Sequence, residues 1–275
     1  MTEPGKRWAV VTGASAGFGA ALARALAAGH PGLHIDGLVL VARRKARLDE
    51  LAEELRAGAR PCAVRVLEVD LSDAAAGVRA IISGVSDLEV DLLVNCAGLS
   101  AGCADFDKVG PGALNAELNI NVQSPLLLTR SILPGMIERG RGRVLNIGSI
   151  GSFLPAPFMA TYGASKAWLY SWSVALCREL ASTPVSVTCY CPGHLQTEFD
   201  NVAGSNERLL CRLPGVSEDD VEGVARHALS CTARGKRWAT NGWLNWFMVM
   251  TAGMTPLWLL LAVTGLMQRL PGCRI

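Results

Sequence analysis

The sequence predicts an α/β protein built on a doubly wound parallel sheet, and three observations carry that expectation. Short apolar runs alternate with longer segments of helical periodicity along most of the chain. The runs are nearly continuous in apolar residues, as suits strands covered on both faces. A glycine-rich turn stands where the first run gives way to the first helical segment.

In order, residues 7–13 (RWAVVTG), 38–42 (LVLVA), 63–69 (AVRVLEV), 91–95 (DLLVN), 143–149 (RVLNIGS) and 185–191 (VSVTCYC) read as strands. Helical patterns fill 17–29, 45–57, 73–84, about 112–139 and 158–182. Residues 32–37 (GLHIDG) lengthen the loop before the second strand. A further helix is expected over 218–232, capped by Ser217 ahead of Glu218 and Asp220. Residues 1–235 are expected to form one domain, with a variable loop at about 194–216 and an apolar segment at 236–275.

Length and composition narrow the classes of function. A chain of 275 residues, 50% apolar and 18% charged, can bury a full core and is not disordered. A net charge of +2 gives no basic surface for nucleic acid. The opening MTEPGKRW has no apolar stretch of signal-peptide type, and nine cysteines without paired spacing suit reduced thiols, so a cytoplasmic setting is expected. Cys189 and Cys191 share one face of a strand and suit core packing; Pro31 and Gly32 interrupt His30 and His34, so no metal site is expected.

Chemistry enters at Thr12–Gly19 (TGASAGFG). Gly13, Gly17 and Gly19, with Ser15 and Phe18 between them, let the backbone turn tightly before the first helix, whose N–H groups suit a pyrophosphate. Beyond the second strand stand Arg43, Arg44, Lys45 and Arg47, basic residues where the helix dipole favours acids. No acid occupies the strand end, where one would hold an NAD ribose diol. A 2′-phosphate held by Arg43 or Arg44 resolves that conflict and points to NADP(H), the plainer alternative being a solvated basic turn. In TYGASKAW (161–168), Tyr162 and Lys166 stand one helical turn apart on one face. A phenol titrates near pH ~10, and a neighbouring ammonium favours its ionised form, which makes the pair a candidate acid–base device.

These motifs together resemble the short-chain dehydrogenase/reductase family over about residues 6–235. The loop matches that family's T-G-x-x-x-G-x-G. Asp70-Leu71 falls at its adenine-contacting position, and Asn95-Cys96-Ala97-Gly98 is similar to its N-N-A-G, with Cys96 in place of the second Asn. Asn121 (in NINV), Ser149 (in NIGS), Tyr162 and Lys166 match its catalytic set, with 13 residues from Ser149 to Tyr162 and four from Tyr162 to Lys166. Pro192-Gly193, followed by Thr197, matches the segment that contacts the nicotinamide end.

The resemblance implies a Rossmann fold and hydride transfer between NADP(H) and a carbonyl or alcohol. Tyr162 is the expected acid–base, Ser149 the hydrogen-bond donor to the reacting oxygen, and Lys166 the residue that lowers the tyrosine pKa and holds the nicotinamide ribose. Asn121 is expected to position a water that links Lys166 to solvent. Subunits of the family pair into dimers or tetramers through the helices before Ser149 and around Tyr162. An isomerase or dehydratase, or a nucleotide sensor without turnover, shares the fold; binding alone needs no proton relay, which speaks against the sensor.

The substrate is expected to be a small carbonyl or alcohol compound of apolar character. Phe153, Leu154, Pro155 and Phe158 are candidate pocket walls, and His194 is either a substrate contact or an ordinary loop histidine. From Trp238 to Gln268 no charged residue or histidine occurs, and Pro256 divides the stretch into halves each too short to span a bilayer. Four tryptophans (238, 243, 246, 258) with Arg234, Lys236, Arg237 and Arg269 flanking them suit an interface. A membrane-resting hairpin, a lid on an apolar pocket and a subunit interface all fit that pattern.

Overall fold

A computed structural model describes residues 5–60, 62–199, 217–218 and 220–269. Its elements run β1 (Arg7–Thr12), α1 (Gly17–Ala27), β2 (Gly37–Ala42), α2 (Lys45–Ala57), β3 (Ala63–Glu68), α3 (Ala74–Gly84) and β4 (Glu89–Asn95). Then come α4 (Pro111–Leu118), a π-helical turn (Asn119–Gln123), α5 (Ser124–Glu138), β5 (Gly142–Ile147), α6 (Ala160–Glu179) and β6 (Val185–Tyr190). Beyond β6 lie β7 (His194–Leu195), β8 (Ser217–Glu218), α7 (Val221–Ala233), β9 (Trp238–Ala239), α8 (Trp243–Ala252) and α9 (Leu257–Arg269).

Seven strands form one sheet in the order β3-β2-β1-β4-β5-β6-β9, every pair parallel. The doubly wound expectation therefore holds. Continuous apolar strands feed two cores at once: Ala9, Val11, Leu38 and Leu40 point to one face, and Trp8, Val10, Val39 and Val41 to the other. In β4 the alternation slips where the register with β1 shifts between Trp8 and Ala9. There Asp91 is buried, accepts from Arg141 Nε at 2.7 Å and lies 3.7 Å from Arg7 and from Arg139. Asn95 Nδ2 donates to Asn146 Oδ1 at 2.8 Å, and Asn146 Nδ2 donates to Ser173 Oγ at 2.8 Å. That buried polar tie joins β4, β5 and α6 and fixes how α6 lies on the sheet.

Three expectations change. The helix expected over 112–139 is interrupted by the π-helical turn at Asn119–Gln123, which resets the face presented by the residues that follow. The cap of α7 is Asp220, whose Oδ1 accepts from Gly223 N at 2.7 Å; Ser217 and Glu218 instead pair with β7. A last strand, Trp238–Ala239, joins the sheet beside β6, so the sheet continues beyond residue 235. The tail forms two helices separated at Gly253–Pro256, and among the described residues no helix is long and apolar enough to cross a membrane.

Candidate active site

The chain order reverses at β1, which is flanked by β2 on one side and β4 on the other, and a cleft of about 530 Å³ opens at the carboxyl ends of these strands. Its floor is backbone. Thr12 Oγ1 donates to Val94 O at 3.2 Å and accepts from Cys96 N at 3.0 Å and Ala97 N at 3.1 Å, which binds the turn after β1 to the end of β4. Gly13, at φ 71°, lies so close to β4 that a Cβ on it would sit 2.8 Å from Ala97 Cα, so only glycine fits. Helix α1 starts at Gly17 after Ala16, which offers no side-chain cap, and has no acid in its first turn. Its first N–H groups and the positive end of its dipole are left for an anion. These features fit a dinucleotide pyrophosphate.

The cleft is lined by Ser15, Gly17, Phe18, Gly19, Arg43, Arg44, Asp70, Leu71, Ala97 and Gly98 and by Ser149, Tyr162, Lys166, Pro192, Gly193, His194 and Thr197, with Thr197 against Gly17 and Gly98 beside Lys166. The tertiary structure thus gathers most of the residues singled out in the sequence into one depression. Four stand apart from its lining, among them Phe158, expected as a pocket wall, which packs instead with Cys103 and Met159. Asn95 turns its amide into the polar tie of the sheet, reaching Asn146 and, at 3.3 Å, Thr129. Phe153 packs on Tyr170 and Trp238, with ring centroids 4.5 and 5.7 Å away, so the wall before Tyr162 is made by Leu154, Pro155, Ala156 and Met159. Asn121 is 1% exposed and lies beneath the cleft.

The catalytic candidates are held by backbone. Ser149 caps a 3-10 turn (Ile150–Phe153), its Oγ accepting from Gly151 N at 3.0 Å, which leaves the hydroxyl hydrogen to donate elsewhere. Lys166, 5% exposed, donates to Ile147 O at 2.9 Å, with its nitrogen 5.8 Å from the centre of the Tyr162 ring. Burial pushes the Lys166 ammonium below the ordinary lysine range, and the neighbouring Cys96, Cys189, Cys191 and Glu117 oppose that shift. Desolvation pushes the Cys96 thiol up to about 12, so it stays protonated. Tyr162 also packs against Phe199, 5.6 Å between centroids.

Asn121 clamps three elements: its Oδ1 accepts from Leu99 N at 2.9 Å, and its Nδ2 donates to Leu99 O at 2.8 Å and Ser165 Oγ at 3.0 Å. Gly98 faces Lys166 and Asn121 together: a Cβ on it would make ordinary contact with Lys166 Nζ at 3.6 Å and Asn121 Oδ1 at 3.8 Å.

Four residues in or behind the lining were not singled out one by one in the sequence. Met248 of α8 and Thr264 of α9 reach the cleft from the tail. Asn241 accepts from Gly193 N at 2.9 Å and so anchors the Pro192-Gly193 turn. Glu198 bridges Arg44 and Arg47. The contacts of Asn241 and Glu198 cross 48 and 154 residues of chain, which no local pattern encodes.

Comparison with known proteins places this arrangement. The short chain dehydrogenase family matches residues 7–208. A very-long-chain 3-oxoacyl-CoA reductase of Aspergillus terreus is 37% identical over 192 residues, covering 67% of this chain and 51% of its own. Hydroxysteroid dehydrogenase-like protein 1 of Gallus gallus is 31% identical, covering 90% of this chain and 71% of its own. The chain spans about half the length of the fungal reductases it matches. Among solved structures, a short-chain dehydrogenase from Sphingobium yanoikuyae in complex with NADPH superimposes with TM-score 0.77 at 30% identity, covering 90% of this chain and 93% of that one. A 3-ketoacyl-(acyl-carrier-protein) reductase from Brucella melitensis complexed with NADH does so with TM-score 0.73 at 27% identity, covering 86% and 96%. With its strand-end glycine turn, its Ser149, Tyr162 and Lys166 on one cleft and a family match over most of its length, this chain belongs to the short-chain dehydrogenase family of oxidoreductases.

Proposed function

We propose that the protein is an NADP(H)-dependent oxidoreductase that interconverts an apolar ketone or aldehyde and its alcohol. The observation that carries this reading is the presence of Ser149, Tyr162 and Lys166 on the same cleft as an uncapped helix start and two arginines. The glycine turn and the start of α1 would hold the pyrophosphate, Asp70 and Leu71 the adenine end, Arg43 and Arg44 the 2′-phosphate, and Pro192, Gly193 and Thr197 the nicotinamide end. When bound, the reduced dinucleotide supplies a hydride to the carbonyl carbon.

The chain's own residues manage the proton and the charge. Tyr162 gives its hydroxyl proton to the carbonyl oxygen as negative charge grows there. Ser149 donates its remaining hydrogen to the same oxygen. Lys166 spends one N–H on Ile147 O and keeps two more, and its positive charge favours the phenolate that Tyr162 becomes. Asn121 is a positioning residue that locks segment 97–99 to α6 beside Lys166. A water beside Gly98, near Lys166 and Asn121, would return the proton to Tyr162.

The arginine-rich start of α2, with no acid in its first turn, supports NADP(H) over NAD(H). Both cofactors occur among the structural relatives, so this chain's own residues carry the distinction. Leu154, Pro155, Met159, Phe199 and Met248 on the cleft support an apolar substrate, and relatives that act on 3-oxoacyl-CoA or are hydroxysteroid dehydrogenase-like point the same way. Assay of NADPH and NADH consumption with acyl ketones, steroids and quinones tests the reading; turnover of none of them, or equal use of both cofactors, would remove it.

The tail supports a second element. Trp243, Trp246 and Phe247 on α8, Met254 between the helices, and Leu257 and Trp258 on α9 are exposed, while Met248 and Thr264 on the same helices line the cleft. One side of the helix pair thus serves as a lid and the other offers an apolar surface to lipid, consistent with a cytoplasmic protein resting on a membrane face. Pairing of subunits through α5 and α6 would cover the exposed Leu126 and Ile137.

A further inference from the structure

Glu198 follows Thr197, in the stretch that leaves β7 and passes over the glycine turn; a Cβ on Gly17 would lie 3.1 Å from Thr197 Cβ. The Glu198 carboxylate reaches the start of α2. One oxygen accepts from Arg44 Nη1 at 2.7 Å and the other from Arg47 Nη1. Arg44 also turns its Nε and Nη2 onto Ser15 Oγ, at 3.2 and 3.1 Å. Arg43, exposed, makes no ion pair or hydrogen bond among the described residues. Ser15, Arg43, Arg44 and Glu198 all line one mouth of the cleft.

A carboxylate spread over two guanidiniums has the sign of charge and the fork geometry of a phosphate, with less charge than the phosphate carries. The Arg44 edge that holds Glu198 is therefore not available to another anion until Glu198 lets go. We infer that Glu198 is an internal competitor for the 2′-phosphate of the dinucleotide, held by Arg44 and Arg47 in the free protein and displaced when that phosphate arrives. The inference rests on the NADP(H) reading above and makes Glu198 a residue that sets cofactor affinity and selectivity. An exposed anion, its side chain 46% accessible, yields at modest cost, so the competition tunes binding without abolishing it.

Calorimetric titration of the full chain with 2′,5′-ADP and with 5′-AMP at low ionic strength tests this. Glu198→Gln keeps the size of the side chain and removes its charge. It is expected to tighten 2′,5′-ADP by about three- to tenfold and to change 5′-AMP by less than about twofold. In an Arg44→Gln background the same change should give no gain, since the contested guanidinium is absent. Unchanged or weaker 2′,5′-ADP binding in Glu198→Gln overturns the inference, as does an equal gain for 5′-AMP. If the unsubstituted chain meanwhile prefers 2′,5′-ADP, the NADP(H) reading stands on its own. No preference in the unsubstituted chain removes the reading and the inference together.

Discussion

At the end of the cleft beside β1 and β2, the surfaces that face a ligand are mostly main chain, supplied by the turn at Thr12–Gly19 and the start of α1. At the other end they are side chains drawn from far apart: Met159 before α6, Phe199 after β7, Met248 and Thr264 in the tail. A site made of N–H groups requires particular glycines and a particular strand–turn–helix order, both of which are written locally. A site made of apolar side chains requires only bulk and proximity, which many sequences satisfy. The first end therefore reports that the chain suits a dinucleotide, and the second is where a substrate preference would be set.

The sharpest way to separate the two ends is to remove the chemistry and leave both intact. Tyr162→Phe should lower kcat by about a thousandfold or more, while calorimetry shows dinucleotide affinity nearly unchanged. Considerable residual turnover would mean that the proton comes from elsewhere. At the dinucleotide end alone, Arg43→Ala should weaken NADPH about tenfold and NADH less than about twofold, read as KM for each. Equal losses would return the basic turn to the role of a solvated surface. At the apolar end, Trp243→Ser and Trp258→Ser should each reduce sedimentation with phosphatidylcholine vesicles about fivefold, with NADPH affinity untouched. A chain that never sediments with vesicles would leave the exposed helices to a subunit contact.

The smallest expected effect concerns the sheet that supports both ends. His227 Nδ1 lies 2.9 Å from the hydroxyl of the buried Tyr190, and burial with Lys236 and Arg234 nearby holds its pKa below the ordinary 6.5. The folded protein thus binds fewer protons than the unfolded chain just below pH 6.5, so stability rises with pH through that window and falls on acidification. His227→Gln should flatten the change in melting temperature between about pH 5 and 7 by about one or two degrees, the group being partly exposed.

How much could be read beforehand follows the same division. Tyr162 and Lys166 were legible because four residues of helix fix their shared face, and Gly13 because it stands in a glycine-rich turn between the first strand and the first helix; its close approach to Ala97 was added by the fold. Asn121 was legible as a residue and not as a geometry: the π-helical turn that carries it does not alter the apolar period enough to be noticed. Asn95 was assigned to the cleft by its place at a strand end, yet the side chain is drawn inward by Asn146, 51 residues away. The cap at Asp220 displaced Ser217 because both are good caps, and pairing of Ser217 with His194 decided between them.

By itself the sequence determined the parallel sheet, the glycine turn before α1 and the shared helical face of Tyr162 and Lys166, since each rests on hydrogen bonding and side-chain period within one or two neighbouring elements. The tertiary structure alone decided which apolar residues wall the pocket, that Asn241 anchors Gly193, and that Glu198 rather than solvent meets Arg44 and Arg47. Those contacts join residues 48 to 154 positions apart, and a contact that depends on how separate elements pack leaves no periodic trace along the chain.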